Sequence, residues 1–356
     1  MGRPPPNSDF VRLKENLDFP PSPSYASMIV VWRVTERCNL TCPFCAYDRR
    51  VERPRREASP RAVIQFAEVL AAYQNETGDP VLVSWLGGEP LLWRPLSALT
   101  ASLRQLGLRL SVTTNGTALA SAVMRSHVLE HYAELTVSID GLVHFHDRSR
   151  GWRGGFATLQ RILCTLAAEK RRTGSGPLLR VNVVLMRDNV EQFEELCLEV
   201  ARWGVDEITF NQLGGNDRPE FFPAHRLRPV DVDLLAERVN TLRPRLAAFG
   251  TVLRGGERYL ARIRSSAAGE RLAVDDCGPG ERFLFVSEVG IVAPCSFTTD
   301  AYGVPIEELT SWRDIVALPF RFAAARTAKR ASACGDCPST QVFDKFDVAH
   351  AESSQP

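Results

Sequence analysis

Lysine is nearly absent from this chain. Only Lys14, Lys170, Lys329 and Lys345 occur, so the 43 basic residues are almost all arginine, and 42 acidic residues bring the formal net charge to +1. With that balance and no run of one sign, the electrostatic footprint of a nucleic-acid-binding or membrane-surface protein is missing. Long apolar runs are missing too: no stretch reaches the ~20 residues that span a bilayer. The start, Met1-Gly2-Arg3-Pro4-Pro5-Pro6, lacks the apolar centre of a signal peptide. These absences predict a cytoplasmic protein with no membrane and no nucleic-acid partner. Cysteine is odd in number, nine in 356 residues. That argues against a disulfide framework, because disulfide-dense folds are small and secreted.

Three of those cysteines sit in eight residues, Cys38-Asn39-Leu40-Thr41-Cys42-Pro43-Phe44-Cys45. The segment follows Ile29-Val30-Val31-Trp32-Arg33-Val34, an apolar run that reads as a buried strand. Pro43 blocks helix continuation and keeps the segment a loop. Three thiolates on one loop can hold three irons of a four-iron cluster and leave the fourth without a protein ligand. An open metal position is usually a place for chemistry. A structural zinc would need a fourth ligand, and the Cys-x2-Cys pair at Cys334 and Cys337 lies far along the chain.

Strand-like and helix-like segments then alternate. Val81–Leu86, Leu108–Val112, Leu135–Ile139, Leu178–Leu185 and Val205–Phe210 read as strands. Pro60–Gln74, Pro95–Leu106, Ala118–Tyr132, Phe156–Arg171 and Asn189–Trp203 read as helices. Such alternation implies a parallel sheet, and six units imply a partial barrel with its site at the C-terminal strand ends. Polar motifs fall at those ends: Gly87-Gly88-Glu89-Pro90, Thr113-Thr114-Asn115-Gly116-Thr117, and Ser138-Ile139-Asp140-Gly141 followed by His146-Asp147-Arg148-Ser149-Arg150-Gly151. Each is also ordinary turn chemistry when taken alone. Glycines after a strand allow close approach to the backbone, and an arginine fork can take a carboxylate in two places. Asn211, Gln212 and Asp217, near the sixth strand end, are candidates for a substrate pocket, although ordinary loop polarity is the commoner reason for each. The pair His144 and His146 reads as structural hydrogen bonding. Cys164 and Cys197 lie on apolar helical patterns and read as packing.

Four more thiols, Cys277, Cys295, Cys334 and Cys337, occupy the last quarter. They fit either a tetrahedral zinc or a fully ligated four-iron cluster, and zinc is the commoner structural metal.

The first cysteine loop resembles the cluster loop of the radical S-adenosylmethionine (SAM) enzymes, whose pattern is Cys-x3-Cys-x-aromatic-Cys, with Phe44 here as the aromatic. The Gly-Gly-Glu, Thr-Asn-Gly and Ser-Ile-Asp-Gly … His-Asp-x-x-Arg-Gly segments resemble that family as well. The resemblance implies a 4Fe-4S cluster on Cys38, Cys42 and Cys45, whose open iron chelates SAM, and a SAM pocket of Phe44, Gly87, Gly88, Glu89, Asn115, Ser138 and Arg150. It places Glu89 at the SAM amino group and has Ser138 and Arg150 help to hold SAM. The order of the last four cysteines resembles the auxiliary-cluster (SPASM, or shortened "twitch") domain that follows the barrel in one branch of the family. Since Ser339–Pro356 contains no cysteine, it implies a single auxiliary 4Fe-4S cluster on Cys277, Cys295, Cys334 and Cys337, serving electron transfer or structural support.

The expected fold is therefore α/β, a partial (β/α)6 TIM-like barrel with a small C-terminal α+β auxiliary-cluster domain. Residues 1–28 read as a flexible arm, 29–215 as the barrel, 216–256 as a linker and bridging helix, 257–345 as the cluster domain and 346–356 as a disordered tail. Within the linker, Pro229–Leu242 reads as a helix that Pro244 ends or kinks. The expected activity is hydrogen-atom abstraction by a 5'-deoxyadenosyl radical, from a ribosomally made peptide. The four-cysteine tail leaves a small-molecule dehydrogenase or cofactor-pathway enzyme as the alternative, and a non-enzymatic iron–sulfur carrier as a third. The expected partners are a reductant such as flavodoxin or ferredoxin and, since 28 residues are too few for a recognition domain, a separate peptide-recognition protein. No residue stands out as a catalytic base.

Overall fold

In the computed structural model, residues 28–215, 217–343, 345 and 346 are described. The expected arm and tail thus lie outside the described residues, except for Met28 and Phe346. Ten strands form one sheet: β1 (Met28–Thr35), β2 (Val81–Gly87), β3 (Arg109–Thr114), β4 (Glu134–Ser138), β5 (Leu178–Leu185), β6 (Glu207–Gln212), β7 (Val252–Leu253), β8 (Phe283–Val286), β9 (Ile291–Ala293) and β10 (Val304–Pro305). Their order is β10-β9-β8-β1-β2-β3-β4-β5-β6-β7. β1 to β7 run parallel in sequence order, as the strand–helix alternation predicts.

The elements follow from local chemistry. In β1, Met28, Val30, Trp32 and Val34 are buried while the residues between them are half-buried, the period of a strand with one richly packed face. Trp32 packs edge-on against Phe66 of the helix Pro60–Thr77. That helix opens with Ser59, whose side chain accepts from the Ala62 amide, has Pro60 at its first turn, and ends at Gly78 in the left-handed conformation.

The sheet curls. Leu40 and Cys42 after β1, Phe145 after β4, Met186 after β5 and Leu213 after β6 pack into one apolar cluster, so the C-terminal ends of well-separated strands meet across the barrel mouth. The C-terminal α+β part continues the same sheet: β8 lies parallel to β1, pairing Ile29 with Phe283 through Trp32 with Val286.

Several boundaries differ from expectation. The sixth strand starts at Glu207 and runs to Gln212, so Asn211 and Gln212 belong to the strand; Glu207 can enter it because it is paired inside the barrel. The helix from Pro229 runs through Pro244 to Ala247. Leu242 and Leu246 are both fully buried on either side of the proline, and their packing outweighs one lost backbone bond. Cys197 is buried, as expected, but Cys164 is exposed on the helix Gly155–Thr173, one position past the buried pair Ile162 and Leu163. Among the described residues, no helix is long and apolar enough to cross a membrane.

Candidate functional site

The loop after β1 folds back through short turns: the Cys45 amide donates to the Cys42 carbonyl at 3.1 Å and the Asp48 amide to the Cys45 carbonyl at 3.2 Å. Its three thiols face the apolar cluster of Leu40, Phe44, Phe145, Met186 and Leu213. Burial pushes the Cys42 thiol up to about 12 and the Cys45 thiol up to about 11, while Arg150 draws both down. Burial also raises Cys38. Free thiols held this way stay protonated, and a metal taking them as thiolates would release those protons.

Two neighbouring strand ends hold the loop in place. Gly88 donates to the Thr35 carbonyl and Glu89 to the Arg37 carbonyl, both at 2.8 Å. A Cβ on Gly88 would collide with the Arg37 carbonyl. The close approach that these glycines permit is thus made by the chain's own entry into the cysteine loop. The Glu89 carboxylate is fully buried. It accepts from Thr114 Oγ1 at 2.6 Å, the Asn115 amide at 2.7 Å and the Leu91 amide at 3.1 Å. Burial lifts its pKa to about 7 against those three bonds. Asn115 Nδ2 reaches back to Asn39 Oδ1 at 3.0 Å and to Cys38 Sγ at 3.8 Å. Glu89 and Asn115 therefore tie the ends of β2 and β3 to the first cysteine.

On the far side, Arg150 ends the helix Val143–Arg150. Its Nε donates to Asp140 Oδ2 at 2.7 Å, and its guanidinium lies 5.6 Å from the centre of the Phe44 ring. Burial works against the charge, but the Asp140 carboxylate, by its charge and its hydrogen bond, more than offsets it, and the pKa rises. Gly151, at φ +61°, leaves no room for a Cβ against Thr41 Oγ1 of the cysteine loop. Ser138, half-buried at the end of β4, is the register partner of Asn182 on β5. His146 is buried, with Nδ1 accepting from the Asp140 amide at 3.3 Å, the structural bonding expected of it. His144 is exposed.

Of the three pocket candidates, Asp217 turns back to the cysteine loop, where its carboxylate takes the Ala46 amide near Arg33 and Arg53. Asn211 bonds Asn182 Oδ1 and the Tyr259 hydroxyl, each at 3.2 Å. Gln212 pairs in register with Leu185.

The second set of cysteines also comes together. Cys277, Cys295, Cys334 and Cys337 line one cavity with Tyr302 and Arg326. Thr298 Oγ1 lies 3.2 Å from Cys295 Sγ, and the Tyr302 hydroxyl 3.9 Å from Cys334 Sγ. Partial burial raises the Cys337 thiol. Among the described residues, no three His, Cys, Asp or Glu side chains close to the spacing of a single metal ion. For zinc, with sulfur at about 2.3 Å, that spacing is tight. Two thiol-only donor sets, one of three and one of four, are the right chemistry for iron–sulfur clusters.

Sequence reasoning missed Asp140 as the partner of Arg150, and it missed Asn182 and Lys345, which meet inside the barrel at 3.2 Å. The available signal was a polar pair, Arg180 and Asn182, alternating with apolar residues in β5.

Comparison with known proteins agrees with this geometry. The AdoMet-dependent heme synthase of Methanosarcina barkeri is 26% identical over 281 residues, 76% of this chain and 77% of that protein. The PqqA peptide cyclase of Xanthomonas euvesicatoria pv. vesicatoria is 26% identical over 328 residues, 88% of this chain and 80% of that protein. The crystal structure of Streptococcus suis SuiB bound to precursor peptide SuiA superposes with a TM-score of 0.63 at 16% identity, over 90% of this chain and 72% of that chain, which shows a shared fold. The sequence pattern of the radical SAM superfamily matches residues 32–200, the span that holds the three-thiol loop and the strand ends around it, so this part of the chain is similar to the radical SAM domain.

Proposed function

We propose that this chain is a radical SAM enzyme that abstracts a hydrogen atom from a ribosomally made peptide during its maturation. The observation that carries the reading is the three-thiol loop, clamped by the ends of β2, β3 and β4 over an apolar cluster. Peptide substrates are favoured because the PqqA peptide cyclase is similar over most of its length and SuiB was crystallised with its precursor peptide. The similar heme synthase keeps a small-molecule substrate as the second reading.

In this reading Cys38, Cys42 and Cys45 hold a 4Fe-4S cluster. When bound, such a cluster supplies the electron for reductive cleavage of SAM and hence the 5'-deoxyadenosyl radical that takes the substrate hydrogen. The chain's own residues bind and orient. Phe44, Gly87, Gly88, Glu89, Asn115, Ser138 and Arg150 surround SAM. Arg150 still has guanidinium N–H groups beyond its Asp140 bond, which suits it to the carboxylate of SAM. Glu89 is engaged by three protein donors, so its larger contribution is to fix the strand ends beside the SAM amino group. Cys277, Cys295, Cys334 and Cys337 hold one auxiliary cluster, with four protein ligands and no open iron, suited to electron transfer. A flavodoxin or ferredoxin supplies electrons, a separate protein presents the peptide, and a reducing cytoplasm keeps both clusters intact.

The test is made on anaerobically purified protein. About eight irons are expected for two four-iron clusters, together with 5'-deoxyadenosine from SAM and a strong reductant. Replacing Cys38, Cys42 and Cys45 by Ala should abolish that product; if SAM is still cleaved reductively, the reading is wrong. About four irons with one zinc would remove the auxiliary cluster and leave the first one standing.

A further inference from the structure

One charged group inside the barrel has no part in the chemistry above. Lys345 is 8% exposed and enters from the C-terminal segment. Its Nζ donates to Asn182 Oδ1 at 3.2 Å and lies 5.4 Å from the centre of the Phe346 ring. Phe346 is anchored in turn: the Arg180 guanidinium lies 5.4 Å from its ring, and its carbonyl accepts from Arg254 at 3.0 Å. The carboxylates nearby among the described residues are committed elsewhere. Glu134 and Glu207 both bond Arg180, and Glu207 also bonds Arg254. Among the described residues, no carboxylate pairs with Lys345.

Asn182 is set up to work with it. Thr209 Oγ1 at 2.9 Å and Asn211 Nδ2 at 3.2 Å donate to the same Oδ1. Three donors on one oxygen fix which way this amide is turned. Its Nδ2, on the other branch of the amide, then donates no hydrogen bond among the described residues. Two residues further along β5, Val184 packs on the apolar cluster under the three-thiol loop. Lys345 and Asn182 are therefore about 7 Å of strand below that loop, on the inner face.

We infer that Lys345 Nζ and Asn182 Nδ2 form a carboxylate-binding subsite inside the barrel and that it takes a carboxylate of the substrate. The inference rests on the reading of the barrel as a SAM pocket. A buried ammonium with no counter-ion is disfavoured. Burial, with Arg180 adding to it, lowers the amine to about 7. A carboxylate between the two donors would gain charge-assisted hydrogen bonds and restore the pairing. The carboxylate of SAM has the same chemistry, so the experiment separates the two sources.

The scarcity of lysine makes the group directly observable. Cluster-loaded protein labelled with 13C at lysine Cε gives four signals, assigned by changing each of the other three lysines to Arg so that Lys345 stays in place. One signal is expected to titrate near neutrality. Acetate added to the SAM-saturated protein should raise its midpoint by about one unit, equivalent to tenfold tighter binding to the charged amine. A rise with SAM alone and no further rise with acetate would overturn the substrate assignment and give the subsite to SAM. Lysine signals that all titrate in the ordinary range, or a midpoint moved by neither addition, would overturn the subsite. Formation of 5'-deoxyadenosine by the same preparation is read separately, so failure of the subsite and failure of the radical SAM reading are distinguishable.

Discussion

His146 shows how burial around the site sets the behaviour of a single residue. It is 1% exposed, and burial, helped by the Arg150 charge, lowers its pKa from 6.5 to about 4. The unfolded chain therefore binds a proton between about 6.5 and 4 that the folded chain does not. Stability from the neutral ring is complete above the unfolded value and is lost as pH falls through that window, by an amount on the order of 3 kcal/mol. Denaturant titrations across the window should show this slope in the wild-type chain and a flatter one in His146→Gln. Equal slopes would mean that the ring is not held neutral. Gly88 supports a second prediction at the same scale. Gly88→Ala drives a methyl group into the Arg37 backbone carbonyl, which cannot swing aside as a side chain would. A loss of about 1–3 kcal/mol is expected, together with a lower iron content, because Arg37 leads directly into Cys38. Unchanged iron and stability would show that the β1–β2 contact does not set the loop.

At the level of elements, β4, β5 and β6 present two different faces. Leu135, Val137, Leu179, Val181, Val183, Ile208 and Phe210 belong to the main apolar core. Glu134, Thr136, Arg180, Asn182, Glu207 and Thr209 alternate with them and bond across the strands. Arg180 holds Glu134 at 2.9 Å and Glu207 at 2.7 Å. Removing it strands a buried carboxylate, so Arg180→Met should cost about 3–5 kcal/mol. The double change Glu134→Leu with Arg180→Met leaves Glu207 on Arg254 and should be less destabilised than the single one in the same denaturation assay. If the double variant is the weaker of the two, the network is not acting through buried charge.

Across the whole molecule, the barrel and the C-terminal part are joined along β1. β8 covers the edge that β1 would otherwise expose, over Ile29–Trp32. An uncovered, apolar central strand is a template for aggregation. A chain cut at residue 215, the boundary expected for the barrel, should therefore aggregate on expression, whereas the full chain stays dispersed in size-exclusion chromatography. A soluble, cluster-loading fragment would show that the barrel closes without β8. The same continuity places the four-thiol cavity, which Phe283 of β8 helps to line, on the flank of the barrel sheet.

The cysteine sets, the parallel barrel and the motifs at its strand ends were legible in the sequence because each depends on neighbours a few residues apart: spacing within a loop, period within a strand, a turn after it. Other features were not legible. Asp217 returns to the Cys45 loop, Asp140 rather than solvent faces Arg150, β8 seals β1, and Lys345 comes to rest against Asn182 across 163 positions of sequence. None of these has a local signature, since each partner is an ordinary residue in its own segment. Local sequence determined which groups could do chemistry. Only the curl of the sheet and the path of the C-terminal segment decided which of them are buried together, and burial is what leaves Glu89, His146 and Lys345 with pKa values far from those of the free side chains.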